Sequence, residues 1–223
     1  MAMPVYVFDA YGTLFDVHAA VARHSGEIGP QAARLSELWR TKQLEYTWVR
    51  LLAGAPYVDF RELTAQALDT AAALSTGPLA PTLRAQLLGA YDRLDAYADA
   101  RPALEALKGK GAKLAILSNG SPDMLASAIG AAEFDGLFDA VLSVDARKTF
   151  KTAPSVYTLA TERFDAPPGA ISFQSSNRWD VAAASLAGFR AVWINRGGLP
   201  DEYPDMAPAL VLRGLDELPR LPD

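Results

Sequence analysis

The sequence predicts an α/β fold: a doubly wound parallel sheet interrupted after its first strand by a helical insertion. Three observations point to it. A short apolar run, Val5-Tyr6-Val7-Phe8, reads as a buried strand and ends at Asp9. A β/α alternation resumes near Pro102 and runs to the end of the chain. Between them, residues from about Asp16 to Tyr97 carry helical patterns and little that reads as strand.

Each element has its own signal. Gly12-Thr13, just past Asp9, marks a turn. Residues 38–48 are helical, with Arg40, Leu44 and Trp48 four apart on one face. Strands are expected over 113–117, 140–144, 171–174, 191–194 and 210–212. Four of them end at Ser118-Asn119-Gly120, Asp145, Ser175-Ser176-Asn177 and Asn195, and the last stops before Arg213. Pro122 follows Ser121 as a first-turn proline follows an N-cap, opening a helix to about residue 131. Pro154 opens another through Arg163, and Asp180 lies at or near the start of a third, which Gly188 ends. Short strand-helix-strand crossovers make the sheet mostly parallel. The insertion must leave and return beside Asp9, where it can act as a cap. The expected division is a core of residues 1–15 and 98–223 and a helical cap of residues 16–97.

Composition narrows the function. The chain has 223 residues, enough for one domain with an insertion or two small ones, and half of them are hydrophobic. A net charge of -5 gives no general attraction for nucleic acid or anionic lipid, so an anionic substrate needs local cations. With no cysteine, disulfides, thiol catalysis and Cys-based zinc sites are all excluded. His18 and His24 do not have the spacing of a His-x-x-x-His metal pair. No apolar run has the length of a membrane span and no leader-like segment precedes Val5, so a cytoplasmic protein is expected.

Strand ends of a parallel sheet converge on one edge, where ligands bind. That edge collects Asp9, Thr13, Ser118, Asn119, Ser175, Asn177 and Asp180, with Lys151 just ahead of the Pro154 helix. Asp9 is a candidate nucleophile or metal ligand, or a surface carboxylate at a strand end. Singly the others admit plainer readings: Ser118-Asn119 as a cap, Asp180 as a helix N-terminal charge, Lys151 as a solvated loop lysine. Together they form a polar cluster that is costly unless paired or used. Lys151 beside Asp9 would favour its ionised form. Attack by Asp9 would form an ester on it, with Asp180 as general base for water and Ser175 and Asn177 as positioning groups. Backbone N–H groups at the Asp9 turn and the Ser118-Asn119 pair would bind a substrate anion. Arg40 either snorkels to water or, if its stripe faces Asp9, becomes a buried cation able to stabilise a departing anion or hold a carboxylate. Residues 56–60 offer an aromatic wall to the same cavity.

These residues, in this order, resemble the L-2-haloacid dehalogenases of the haloacid dehalogenase superfamily. The likeness runs through Phe8-Asp9-Ala10-Tyr11-Gly12-Thr13-Leu14-Phe15-Asp16, Trp39-Arg40 with Gln43-Leu44-Glu45-Tyr46, and Leu117-Ser118-Asn119-Gly120-Ser121-Pro122. It continues through Phe150-Lys151 with Ala153-Pro154 and Val156-Tyr157, then Ser175-Ser176-Asn177 with Trp179-Asp180. The resemblance implies a Rossmann-like core, a helical cap, a homodimer and no cofactor or metal. It implies hydrolysis of an L-2-haloalkanoate to the D-2-hydroxy acid with inversion, through an ester on Asp9. Arg40 and Asn119 would then stabilise the leaving halide, and Ser118 with nearby backbone N–H groups would hold the substrate carboxylate. Lys151 would pair with Asp9, Thr13, Tyr157, Ser175 and Asn177 would support the array, and Asp180 would help activate water. The substrate-binding positions implied are Ala10, Tyr11, Arg40, Leu44, Phe60, Ser118, Asn119, Lys151 and Trp179.

The superfamily's phosphatases carry a second aspartate two residues after the nucleophile and acidic magnesium ligands in the fourth motif. Here those positions hold Tyr11 and the Ser175-Ser176-Asn177 run, which supports a hard-cation site poorly. A phosphatase is the runner-up on this fold, and a non-catalytic carboxylate-binding paralogue is a third reading. Three positions depart from the dehalogenases. Thr152 replaces a common proline, leaving the aim of Lys151 less fixed. Gln174 and Arg178 flank the fourth motif, and Arg178 is expected to face solvent.

Overall fold

A computed structural model describes residues 4–221; residues 1–3 and 222–223 of the expected core lie outside the described residues. The chain opens with β1 (Val5–Phe8) and passes through α1 (Ala19–Arg23), α2 (Ser25–Ile28), α3 (Ala32–Ala53), α4 (Phe60–Ala73) and α5 (Pro81–Tyr91). The alternation then runs α6 (Ala100–Gly109), β2 (Lys113–Ser118), α7 (Pro122–Ala131), β3 (Ala140–Ser143), α8 (Pro154–Phe164), β4 (Ile171–Ser175), α9 (Arg178–Leu186), β5 (Arg190–Ile194) and β6 (Leu210–Leu212). The six strands form one sheet in the order β3-β2-β1-β4-β5-β6, every pairing parallel. Among the described residues, no helix is long and apolar enough to cross a membrane.

The pleat alternates side chains between two core layers. Phe8, Leu114 and Ile116 pack on one face with Leu104, Leu107 and Leu125 of α6 and α7. Val7, Ala115, Leu117 and Phe173 pack on the other with Val156 and Ala160 of α8 and Val181 of α9. Burial on both faces is why the inner strands read as continuous apolar runs. Boundaries shift slightly from expectation. β3 stops at Ser143, whose Oγ accepts the Asp145 N–H at 3.1 Å and starts a tight turn. Helix α9 begins at Arg178, which puts Asp180 in its first turn as expected, with Asn177 in the extended capping position.

Two features place the site. The strand order reverses at β1, and the crevice beyond the strand ends there is where such sheets take ligands. Phe8 pairs with Gln174 and Ile116, so Asp9 emerges between the ends of β4 and β2. The helical segment leaves and returns at the same place. The Asp16 N–H donates to Asp95 O at 2.8 Å, and the Tyr97 N–H to Leu14 O at 2.9 Å. Helix α3, about 33 Å long at 1.5 Å per residue, packs on α4 through apolar side chains and a buried polar seam. In that seam Trp39 Nε1 donates to Thr64 O at 2.8 Å and Gln43 Nε2 to Thr64 Oγ1 at 3.0 Å.

Candidate active site

The turn after β1 is closed by the Ala10 carbonyl, which accepts from Thr13, Leu14 and Phe15 N–H groups. Gly12 makes this possible at φ +92°, a conformation that side chains disfavour. The turn aims Asp9, 5% exposed, into the crevice. Its two oxygens have different surroundings. Oδ2 accepts from Asn177 Nδ2 at 2.8 Å, Thr13 Oγ1 at 3.0 Å and Ser175 Oγ at 3.4 Å. Among the described residues, Oδ1 accepts from Lys151 Nζ alone, at 3.0 Å. The donors are themselves held: Thr13 Oγ1 accepts the Ser176 N–H at 2.8 Å, and Ser175 Oγ accepts the Asn177 N–H at 3.1 Å.

Lys151 is the centre of the charge array. It is 1% exposed, so the solvated-loop reading does not hold. Its Nζ also reaches Asp180 Oδ2 at 2.7 Å, and its backbone N–H donates to Asn119 Oδ1 at 2.9 Å. These three bonds fix its aim without the proline that Thr152 replaces. Burial pulls the Lys151 pKa down, but Asp180 and Asp9 outweigh it and hold the ammonium above the ordinary lysine value. Asp180 is fully buried and accepts from Tyr157 Oη at 2.7 Å on its other oxygen. Burial, with the like charge of Asp9, raises its carboxyl above the usual aspartate range despite the shared ammonium. Burial and Asp180 likewise keep the Tyr157 phenol protonated as a donor. Among the described residues, no three His, Cys, Asp or Glu side chains group closely enough to share a metal ion. The positive charge between Asp9 and Asp180 is the lysine.

Above this floor, α3 and α4 close a small cavity. It is lined by Asp9, Tyr11, Arg40, Leu44, Phe60, Ser118, Asn119, Lys151 and Trp179, and its free space of about 10 Å³ is near that of one water. Arg40 faces inward: one guanidinium nitrogen donates to Tyr11 O at 3.1 Å and Asn177 Oδ1 at 3.2 Å. Tyr11 stacks on Tyr91 with ring centres 5.6 Å apart, and its buried hydroxyl has no hydrogen-bond partner among the described residues. Burial pushes that phenol well above its ordinary pKa. Gly120 is required here, because a Cβ would lie 2.7 Å from the Tyr11 ring.

Of the expected site residues, Thr13, Ser175, Asn177, Asp180 and Tyr157 stand behind the cavity wall and hold the residues that line it. Ala10 is buried beneath the turn and is not part of the wall. Phe60 supplies the aromatic wall expected of residues 56–60. Tyr57 does not: it bonds Asp145 and packs on Phe150 outside the cavity. Arg178 corrects the solvent expectation. It is 4% exposed, with Nε on Asp201 Oδ1 at 2.6 Å and Nη2 on the carbonyls of Tyr203 and Met206. Arg196 was missed as a support. It bonds Thr13 O and Ser176 Oγ, each at 3.0 Å, and is ion-paired to Asp99 at 2.8 Å, tying the first and fourth motifs together. Its position just after the carboxyl end of β5 is the sequence signal that would have found it.

A family model described as haloacid dehalogenase-like hydrolase matches residues 3–188. The chain belongs to the haloacid dehalogenase-like hydrolases. Within that family it is 47% identical to (S)-2-haloacid dehalogenase 1 of Pseudomonas sp. strain CBS-3, over 96% of this chain and 94% of that one. It is also 47% identical to (S)-2-haloacid dehalogenase 4A of Burkholderia cepacia, over 88% and 85%. Among solved structures it superposes on the L-2-haloacid dehalogenase of Xanthobacter autotrophicus with chloropropionic acid covalently bound, at a TM-score of 0.86 and 34% identity, covering 99% and 98%.

Proposed function

We propose that this haloacid dehalogenase-like hydrolase is an (S)-2-haloacid dehalogenase, hydrolysing L-2-haloalkanoates to D-2-hydroxy acids and halide through an ester on Asp9. The observation that carries this is the asymmetry of Asp9: Oδ2 is engaged by three donors while Oδ1, held among the described residues by Lys151 alone, belongs to a carboxylate on the wall of a cavity that sets Leu44, Phe60 and Trp179 beside the cations Arg40 and Lys151. Tyr11 stands where phosphoryl transfer in this superfamily would need a second carboxylate.

The chemistry follows from that asymmetry. Oδ1 attacks C2 from the face opposite the halogen, a C–O bond forms as the C–halogen bond breaks, and C2 inverts. Arg40 and Asn119 receive the halide, and Ser118 with adjacent backbone N–H groups holds the substrate carboxylate. Esterification removes the Asp9 charge and leaves Lys151 paired with Asp180 alone. Water then attacks the ester carbon of Asp9, and Asp180, whose affinity for a proton is raised by burial, takes the proton. The developing oxyanion is Oδ2, and Thr13, Ser175 and Asn177 already donate to it. The intermediate collapses by breaking the Cγ–Oδ1 bond; Oδ1 leaves on the still inverted C2 and takes the proton back from Asp180 as the 2-hydroxy acid, and Asp9 returns as a carboxylate with one oxygen from water.

The test is halide release from L-2-chloropropionate in the presence of a chelator, with the product resolved by chirality. D-Lactate in step with chloride is expected; L-lactate, or a phosphate ester hydrolysed in preference, would refute the reading. We further propose a core of 1–15 and 98–223 beneath a cap of 16–97, supported by the paired exit and return at Phe15 and Ala96. We also propose a cytoplasmic homodimer, an expectation that rests on the family likeness; equilibrium sedimentation checks the dimer as twice the 23.9 kDa chain mass.

A further inference from the structure

We propose that an apolar groove on the outer side of Trp179 is a second subsite of the same active site, receiving the alkyl tail of 2-haloalkanoates longer than propionate. Arg178 is the positioning residue that builds its far wall. This rests on the dehalogenase reading above.

The groove encloses about 420 Å³ and is walled by Trp48, Thr152, Trp179, Ala183, Tyr203 and Met206 among others. Three stretches of chain run from the catalytic cavity into it. On α3, Leu44 lines the cavity and Trp48, one turn on, lines the groove. After β3, Lys151 lines the cavity and Thr152 the groove. Trp179 belongs to both walls, so its ring is the partition between them. The Trp48 ring meets it edge-on at 5.5 Å. The cavity has room for the reacting end of a substrate only when the partition or the cap yields. The charged and halogen-bearing end belongs with Lys151 and Arg40, and a hydrocarbon tail on C2 matches the apolar side of Trp179.

Arg178 explains why the groove has a far wall. The segment carrying Tyr203 and Met206 has no helix or strand to hold it. Arg178 ties it to the first turn of α9 through the Asp201 carboxylate and the two carbonyls, with its guanidinium 5.5 Å from the Tyr203 ring centre. The neighbouring residue on α9 is Trp179. Nothing in the chemistry at Asp9 uses this buried cation, and its placement serves the groove.

The experiment compares kcat/KM for L-2-bromopropionate and L-2-bromohexanoate. Ala183→Phe fills the groove away from the catalytic groups and should lower hexanoate turnover about tenfold, leaving propionate unchanged. Arg178→Met should raise KM for hexanoate while kcat for propionate holds, and Arg178→Lys should recover part of the loss. Asp201→Asn, which removes an exposed partner, supplies a milder version should Arg178→Met fail to fold. The inference is overturned if wild-type protein turns over propionate but not hexanoate, or if Ala183→Phe lowers both alike. It is also overturned if Ala183→Phe changes the sedimenting mass, which would mean that a second copy of the chain covers the groove. Loss of propionate turnover in the wild type would instead overturn the dehalogenase reading itself.

Discussion

The floor of the cavity, built from loops at the strand ends, holds its polar atoms in a bonded network: Asp9, Lys151 and Asp180 share one ammonium, and Thr13, Ser175 and Asn177 converge on one oxygen. The ceiling, built from α3 and α4, presents Leu44, Phe60 and the single guanidinium of Arg40. The floor carries the bond making and breaking, helped from above by Arg40 at the leaving halide; the apolar part of the ceiling sets what fits. Damage to the floor should therefore strike kcat and, where charge balance is lost, the fold. Damage to the apolar side chains of the ceiling should strike KM and substrate range.

The largest effect is expected for Asp9→Asn, which removes the nucleophile. A fall in kcat of about 10⁴-fold or more is predicted in a halide-release assay. Lys151→Met comes next and breaks both activity and fold. It strands two buried carboxylates without a cation, a loss of about 3–5 kcal/mol, read as a clear drop in the thermal midpoint. Asp180→Asn separates the two properties. Because the folded pKa of Asp180 is raised, its ionised form costs stability at neutral pH, so this variant should lose kcat while its midpoint holds or rises.

The pH profile sharpens the same contrast. Activity should fall as acid protonates Asp180, at a pH above the ordinary aspartate value of 3.8. The alkaline limb should lie above the ordinary lysine value of 10.5. Lys151 has a raised folded pKa, so its contribution to stability is complete below 10.5 and is lost as pH climbs through the folded value. Denaturant unfolding measured against pH would show this. The smallest effect is expected at the ceiling: Leu44→Ala should raise KM about tenfold with little change in kcat.

What was legible in the sequence follows the same division. Asp9, Ser118 and Ser175 sit where apolar runs stop, with Thr13 and Asn177 in the turns that follow, so periodicity locates them, and parallel pairing brings those stops to one edge; Lys151, just ahead of α8, and Asp180, in the first turn of α9, reach it from the starts of helical segments. That is why Asp9, Ser118, Ser175 and Asn177 could be named together. Arg178 could not be placed, because its partners lie in an irregular segment 23 to 28 residues away. Composition alone favours an exposed arginine. Tyr57 failed for a related reason: helix α4 begins after it, and only Phe60, inside the helix, has its direction set by a repeating pattern.

The central claim is that Asp9 becomes an ester whose carbonyl carbon, and not C2, is attacked by water. A single turnover with enzyme in excess over L-2-chloropropionate in ¹⁸O-labelled water tests it most directly. Mass analysis of the peptide carrying Asp9 should show one labelled oxygen, with the first 2-hydroxy acid released unlabelled. Label in the product and none in that peptide would contradict the account.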